Sequence, residues 1–205
     1  LNTIMQFVSR PSWCLNMMTA KKLNFGNIMG HVTNVTNLSS LASWTADQFD
    51  PTLTWEDIAW IKDRWKGKLI LKGVMDSEDA MLAVKAGADA IIISNHGGRQ
   101  LDGAPSTISV LPEIVDAVNS KVEVHFDGGV RSGQDVLKAL ALGADCIHIG
   151  RPYVYGLGAK GQEGVEIAIE IIKKELDLTM AMCGETNISN VGLHNLHYNP
   201  FKIIN

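Results

Sequence analysis

The feature that most limits how this chain can fold is an internal repeat. The run Asp79-Ala80-Met81-Leu82-Ala83-Val84-Lys85-Ala86-Gly87-Ala88-Asp89-Ala90-Ile91-Ile92-Ile93 recurs as Asp135-Val136-Leu137-Lys138-Ala139-Leu140-Ala141-Leu142-Gly143-Ala144-Asp145-Cys146-Ile147-His148-Ile149. In each copy a helix-periodic stretch passes through Gly-Ala-Asp into a short apolar run of strand character. The interval between copies holds one more strand and helix, so the repeat unit is two βα pairs. Four such strands predict half of a (βα)8 barrel, whose full form takes about 250 residues. An open doubly wound sheet is the alternative, but no Gly-x-Gly-x-x-Gly follows the first strand. The reading is therefore α/β: the C-terminal half of a (βα)8 TIM barrel, four parallel strands with flanking helices.

Each strand pattern ends in polar or charged residues. Leu69-Ile70-Leu71 runs into Lys72-Gly73, and Ala90-Ile91-Ile92-Ile93 into Ser94-Asn95-His96-Gly97-Gly98-Arg99-Gln100. Val122-Glu123-Val124-His125-Phe126 runs into Asp127-Gly128-Gly129-Val130-Arg131, and Cys146-Ile147-His148-Ile149 into Gly150-Arg151. Barrel enzymes keep their chemistry at that end of the sheet, so an imidazole and a guanidinium three residues apart there point to an acid-binding catalyst. Helices are predicted over Ser77–Ala86, about Ser109–Val118, Gly133–Leu142 and about Glu163–Leu176, with Ser77 and Ser132 as N-caps. Thr54 with Asp57 reads as a cap before Ile58, Ile61 and Trp65.

Composition narrows the classes. A net charge of −4 over 205 residues gives no basic footprint for nucleic acid. No apolar run reaches the length of a membrane span, and no secretory signal opens the chain. The three cysteines, Cys14, Cys146 and Cys183, suit a reducing compartment, each as a small buried apolar residue. The chain opens on Leu1 rather than Met, as expected of a piece with more sequence before it. Residues 1–53 read as a long loop or lid packed on the barrel. The sharper reading is a membrane-facing patch, with Trp13, Met17, Met18, Leu23 and Phe25 beside Arg10, Lys21 and Lys22. Residues 54–185 form the half-barrel and residues 186–205 a tail.

Four motifs in order and register, Lys72-Gly73, Ser94 to Gln100, Asp127 to Gly133 and Gly150-Arg151-Pro152, resemble the C-terminal half of the FMN-dependent α-hydroxy-acid dehydrogenases. That family includes L-lactate dehydrogenase, mandelate dehydrogenase and glycolate oxidase. Trp13-Cys14 and Phe25-Gly26-Asn27 resemble the lactate and mandelate dehydrogenases in particular. The resemblance implies a barrel with FMN at its C-terminal mouth and oxidation of a small L-2-hydroxy acid, L-lactate foremost, to the 2-oxo acid. It makes His96 the base, a role that suits imidazole with its ordinary pKa of about 6.5. Arg99 becomes the bidentate clamp on the substrate carboxylate, and Lys72 the cation beside the flavin. Ser94 would touch the flavin, Asp127 would accept from ribityl hydroxyls, Gly128, Gly129, Arg131, Gly150 and Arg151 would hold the phosphate, and Val130 would also bind the cofactor. An aspartate that orients the histidine comes from an earlier strand in the family and has no counterpart here.

The implied partners are the hydroxy acid, an electron acceptor (quinone, cytochrome or oxygen) and further copies of the chain. The implied location is the cytoplasm, with peripheral contact on the inner face of the membrane. His125 and His148 read as packed, hydrogen-bonded residues within strands. His31, His194 and His197 show no ligand spacing, so no metal is expected. The competing function is a catalytically inert half-barrel that only binds ligand or a complementary half.

Overall fold

A computed structural model describes residues 2–19, 28, 32 and 38–197. The expectations placed on Lys21, Lys22, Leu23, Phe25, Gly26, Asn27, His31 and residues 198–205 lie outside the described residues. The chain forms two compact units, Leu1–Leu53 and Thr54–Asn205.

Among its described residues the first unit carries helices α1 (Asn2–Val8), α2 (Pro11–Thr19) and α3 (Leu38–Asp47), where the sequence alone predicts a loop. Pro11 opens α2 at a position where a missing N–H costs nothing. Neither α1 nor α2 carries an acidic residue in its first turn or a basic one in its last, so the usual end charges are absent. Phe7 and Trp13 stack with ring centroids 6.0 Å apart, which ties α1 to α2. Ile4, Met5, Val8, Leu15 and Met18 remain exposed.

In the second unit, α4 (Trp55–Trp65) leads into strands β1 (Ile70–Val74), β2 (Ala90–Ile93), β3 (Glu123–Phe126) and β4 (Cys146–Ile147). The strands are parallel and lie in the order β1-β2-β3-β4. Connecting and following them are α5 (Ser77–Lys85), α6 (Thr107–Val118), α7 (Gly133–Ala141), α8 (Arg151–Lys160) and α9 (Gln162–Met182). Ile91, Ile93, Val124 and Phe126 share a core with Ala83, Leu111, Ile114, Val118 and Ala139 from the helices. Alternation then sends Lys72, Ile92, His125 and Cys146, which stand in one register row, to the opposite sheet face.

The repeated Gly-Ala-Asp turn does the same work twice. Asp89 N donates to Leu69 O at 2.8 Å, while Leu69 N donates back to Asp89 Oδ2 at 2.9 Å. Asp145 N donates to Val124 O at 2.8 Å, and Val124 N returns to Asp145 Oδ2 at 2.8 Å. Each aspartate therefore locks the start of its strand to the preceding one, a role that a backbone N–H and a carboxylate fill strongly.

Several boundaries differ from the sequence reading. The N-cap of α5 is Asp76, whose carboxylate accepts from Glu78 N and Asp79 N, rather than Ser77, because it reaches two orphan donors at once. Ser132 caps α7 as expected, and Thr54 with Asp57 forms the capping box of α4. β4 stops at Ile147, so His148 lies past the strand, although His148 N still donates to Phe126 O at 2.8 Å. Helix α8 was unanticipated. The cysteines are free, but Cys183 is exposed and Cys14 and Cys146 are half-buried: α2 buries no residue, and Cys146 stands on the sheet face away from the helices. Just before the tail, Glu185 accepts from His194 Nε2 at 2.7 Å and Asn195 Nδ2 at 2.9 Å, which holds its carboxyl below the ordinary range, Asn195 contributing most.

Candidate active site

The C-terminal ends of β1, β2 and β3 are tied together by Ser94. This residue is fully buried. Its Oγ accepts from Lys72 Nζ at 2.8 Å and from His96 N at 3.1 Å, and donates to Asp127 Oδ1 at 2.7 Å. Lys72 Nζ stands 3.3 Å from Asp127 Oδ2, so a cation, a hydroxyl and a carboxylate from three strands form one closed network. Satisfying every lone pair of a buried hydroxyl removes the cost of hiding it from water.

His96 begins a short 310 turn, His96–Gly98, with its backbone in the left-handed region at φ 56°. A non-glycine residue there is strained, and such strain gathers at functional sites. Asn95 supports the turn by accepting from Gly97 N at 3.1 Å and donating to Pro105 O at 3.2 Å. The imidazole lies over Gly73, where an added Cβ would meet His96 Cε1 at 2.9 Å. The ring nitrogens of His96 have no hydrogen-bond partner among the described residues. Arg99 Nε donates to His96 O at 3.1 Å, which leaves the two terminal nitrogens of its fork for a ligand.

The remaining site residues form an anion cradle beside this network. Gly128 and Gly129 both take positive φ, 109° and 79°, a conformation open to glycine at little cost. The N–H groups of Gly129 and Gly150 donate to no acceptor among the described residues. Gly150 caps α8, whose first turn holds no acidic side chain, so its positive end is uncompensated. Arg131 and Arg151 line the same space. Arg151 Nη2 also donates to Gly97 O at 3.0 Å, linking the cradle to the His96 turn. A cleft of about 340 Å3 runs between them, lined by Lys72, His96, Arg99, Asp127, Arg131 and Arg151, within the size range of ligand sites.

The structure brings together all the residues the sequence placed at the site, two of them from behind: Ser94 is buried in the network and Val130 packs into the core while bordering the cleft. Sequence reasoning missed Gly73, whose role depends on a ring 23 positions away, and His148, which lines the cleft. Burial and the neighbouring His125 hold the His148 imidazole below its ordinary pKa, with Asp127 pulling the other way.

A parallel βα sheet with an imidazole, paired charges and a glycine- and arginine-lined cleft at its C-terminal edge has the layout of a barrel-type enzyme site. The chain belongs to the FMN-dependent dehydrogenase family, which it matches over residues 1–198. It is 41% identical over 197 residues to an L-lactate dehydrogenase of Vibrio cholerae serotype O1 (strain M66-2), covering 96% of this chain and 52% of that protein. It is 43% identical over 189 residues to an L-lactate dehydrogenase of Pseudomonas syringae pv. syringae (strain B728a), covering 92% and 50%. Among solved structures it is similar to the monotopic membrane protein (S)-mandelate dehydrogenase, with TM-score 0.85, 34% identity and coverage of 96% and 52%. A mandelate oxidase structure matches with TM-score 0.71 and 45% identity over 76% of this chain and 45% of that one. The chain spans about half the length of the curated relatives it matches, and its four strands are half of their (βα)8 fold.

Proposed function

We propose that the protein carrying this chain oxidises a small L-2-hydroxy acid, L-lactate foremost, to the 2-oxo acid with FMN as acceptor. The observation that carries this reading is that His96, the Arg99 fork and the cradle of Gly129, Gly150, Arg131 and Arg151 open on one cleft. The cradle suits the FMN phosphate: unpaired N–H groups, an uncompensated helix N-terminus and two guanidiniums form a strong anion-binding set. When bound, FMN supplies the two-electron acceptor that no side chain can provide. Arg99 binds the carboxylate through its free terminal nitrogens. His96 takes the proton released from the hydroxyl or α-carbon, and Lys72 holds positive charge beside the reacting groups. Asp127 and Ser94 fix that lysine, and Asp127 meets the ribityl hydroxyls.

The monotopic mandelate dehydrogenase among the similar structures supports a peripheral membrane contact for the first unit. Arg10 with exposed Ile4, Phe7, Val8, Trp13, Met17 and Met18 supplies the cationic and apolar groups that such contact uses. No helix among the described residues is long and apolar enough to cross a membrane. The reading places the protein at the cytoplasmic face, passing electrons to a quinone, a cytochrome or oxygen.

A second reading is an inert half-barrel that binds ligand or a complementary half. Exposed Ile70 on β1 and Ile167, Ile169 and Ile171 on α9 favour it. Anaerobic addition of L-lactate to the flavin-loaded protein separates the two. Bleaching of the flavin supports oxidation; an unchanged spectrum with L-lactate, L-mandelate and glycolate contradicts it.

A further inference from the structure

We propose that His125, Cys146 and His148 form a binding site for a borderline-soft divalent cation, of which Zn2+ is the natural fit. The strand register pairs His125 on β3 with Cys146 on β4, so both stand on the sheet face away from the helices. His148 follows two residues after Cys146 and returns to that face. One ligand atom from each residue, two ring nitrogens and a thiol sulfur, lies within 4.8 Å of the others. His125 Nδ1 and His148 Nε2 are 3.1 Å apart. Two nitrogens bound to tetrahedral zinc at about 2.0–2.1 Å stand about 3.3 Å from each other, so the pair already has nearly the required edge. With zinc to sulfur at about 2.3 Å, the nitrogen to sulfur edge is about 3.6 Å, so the three ligand atoms, already within 4.8 Å of one another, draw together on the ion.

The surroundings are built for this role. Glu123 Oε2 lies 3.2 Å from His125 Nε2. A carboxylate there keeps the proton on Nε2 and aims the Nδ1 lone pair at the cluster, the arrangement that outer carboxylates give to metal-bound histidines. In the metal-free protein a single proton shared between the facing nitrogens explains their short separation. An arriving cation takes its place: His148 carries its proton on Nδ1, both lone pairs turn to the ion, and Cys146 releases its thiol proton to solvent. Cys146 and His148 are half-buried, so the ion reaches the cluster along the sheet face that carries them. The facing charges there, Lys72 and Asp127, are paired with each other and largely cancel. Two imidazoles and a thiolate select Zn2+ or Co2+ over Mg2+ and Ca2+, which take oxygen ligands.

Cobalt titration tests the site, because a thiolate bound to Co2+ gives a charge-transfer band and tetrahedral Co2+ absorbs at wavelengths longer than the flavin. With the flavin-loaded protein in metal-free buffer, one equivalent of Co2+ per chain should produce both signals, and Zn2+ should abolish them. Cys146→Ala should lose the charge-transfer band, and so should Cys146→Ser if the alanine variant fails to fold. Glu123→Gln should weaken cobalt binding about 10- to 100-fold. A variant lacking Cys14 and Cys183, the other two cysteines, should keep the full signal. Absence of the band in the parent protein, its survival in the Cys146 variants, or its loss in the Cys14 and Cys183 variant overturns the proposal.

Discussion

Gly73 leaves room for the His96 imidazole: a Cβ on Gly73 would stand 2.9 Å from His96 Cε1, and Gly73 itself adopts φ 102°. The glycine near the end of β1 therefore bounds the position of the residue assigned as base, in the turn after β2. Gly73→Ala should push the ring aside while leaving the anion cradle intact. The expected outcome is retained FMN with flavin reduction slowed on the order of 100-fold, the cost of a misplacement of about 1 Å. Stopped-flow reduction checks it, and an unchanged rate would show that the ring position does not matter.

Ser94→Ala removes the hydroxyl that serves Lys72, His96 N and Asp127 at once. It leaves buried polar groups without a partner, so the protein should lose about 1–3 kcal/mol of stability. Urea unfolding followed by far-UV circular dichroism measures the change. Stability equal to the parent's would mean that water or the remaining Lys72 and Asp127 pair replaces the hydroxyl.

Asp89 bonds Lys62, Leu69 N and Lys68, and these partners, Lys62 most strongly, hold its carboxyl well below the usual carboxylate range. Its native pKa is thus lower than in the unfolded chain, where 3.8 is the ordinary value. The sign follows: the contribution is present above about pH 4 and is lost as pH falls further. Asp89→Asn should lower the melting temperature at neutral pH and flatten its fall at acid pH. Melting curves collected between neutral pH and pH 2 test this, and parallel curves for the two proteins would remove Asp89 from the acid response.

Arg131 and Arg99 should fail differently. Arg131→Ala removes the charge-assisted contact proposed for the phosphate, of about 1.5–3 kcal/mol, so FMN affinity should fall about 10- to 100-fold. Arg99→Lys keeps the charge but loses the fork, so KM for the acid should rise while FMN binding holds. Fluorescence titration of FMN and steady-state kinetics separate the two. Equal loss of flavin in both variants would contradict the assignment.

Much of this architecture is legible in the sequence because its signals are local. The Gly-Ala-Asp turn recurs, and Asp89 and Asp145 make equivalent closed pairs of hydrogen bonds. The loops after β2 and β3 carry glycines where the backbone takes positive φ. What escapes reading depends on distant residues or on weak patterns. The first-unit helices α1 and α2 lack end charges, and the one start signal, Pro11, is equally a turn residue. Asp76 outcompetes Ser77 as cap by one position. The contact of His125 with His148 arises only when β3 and β4 pair in register, and Gly73 matters only once the His96 turn folds over it.

The central claim is that His96 removes the substrate proton, and anaerobic stopped-flow reduction of the flavin in His96→Gln tests it most directly. The variant should bind FMN like the parent and be reduced by L-lactate at least ~100-fold more slowly, the lower end of what a general base contributes. Reduction at the parent rate would contradict the assignment of His96 and remove the main support for hydroxy-acid oxidation at this cleft.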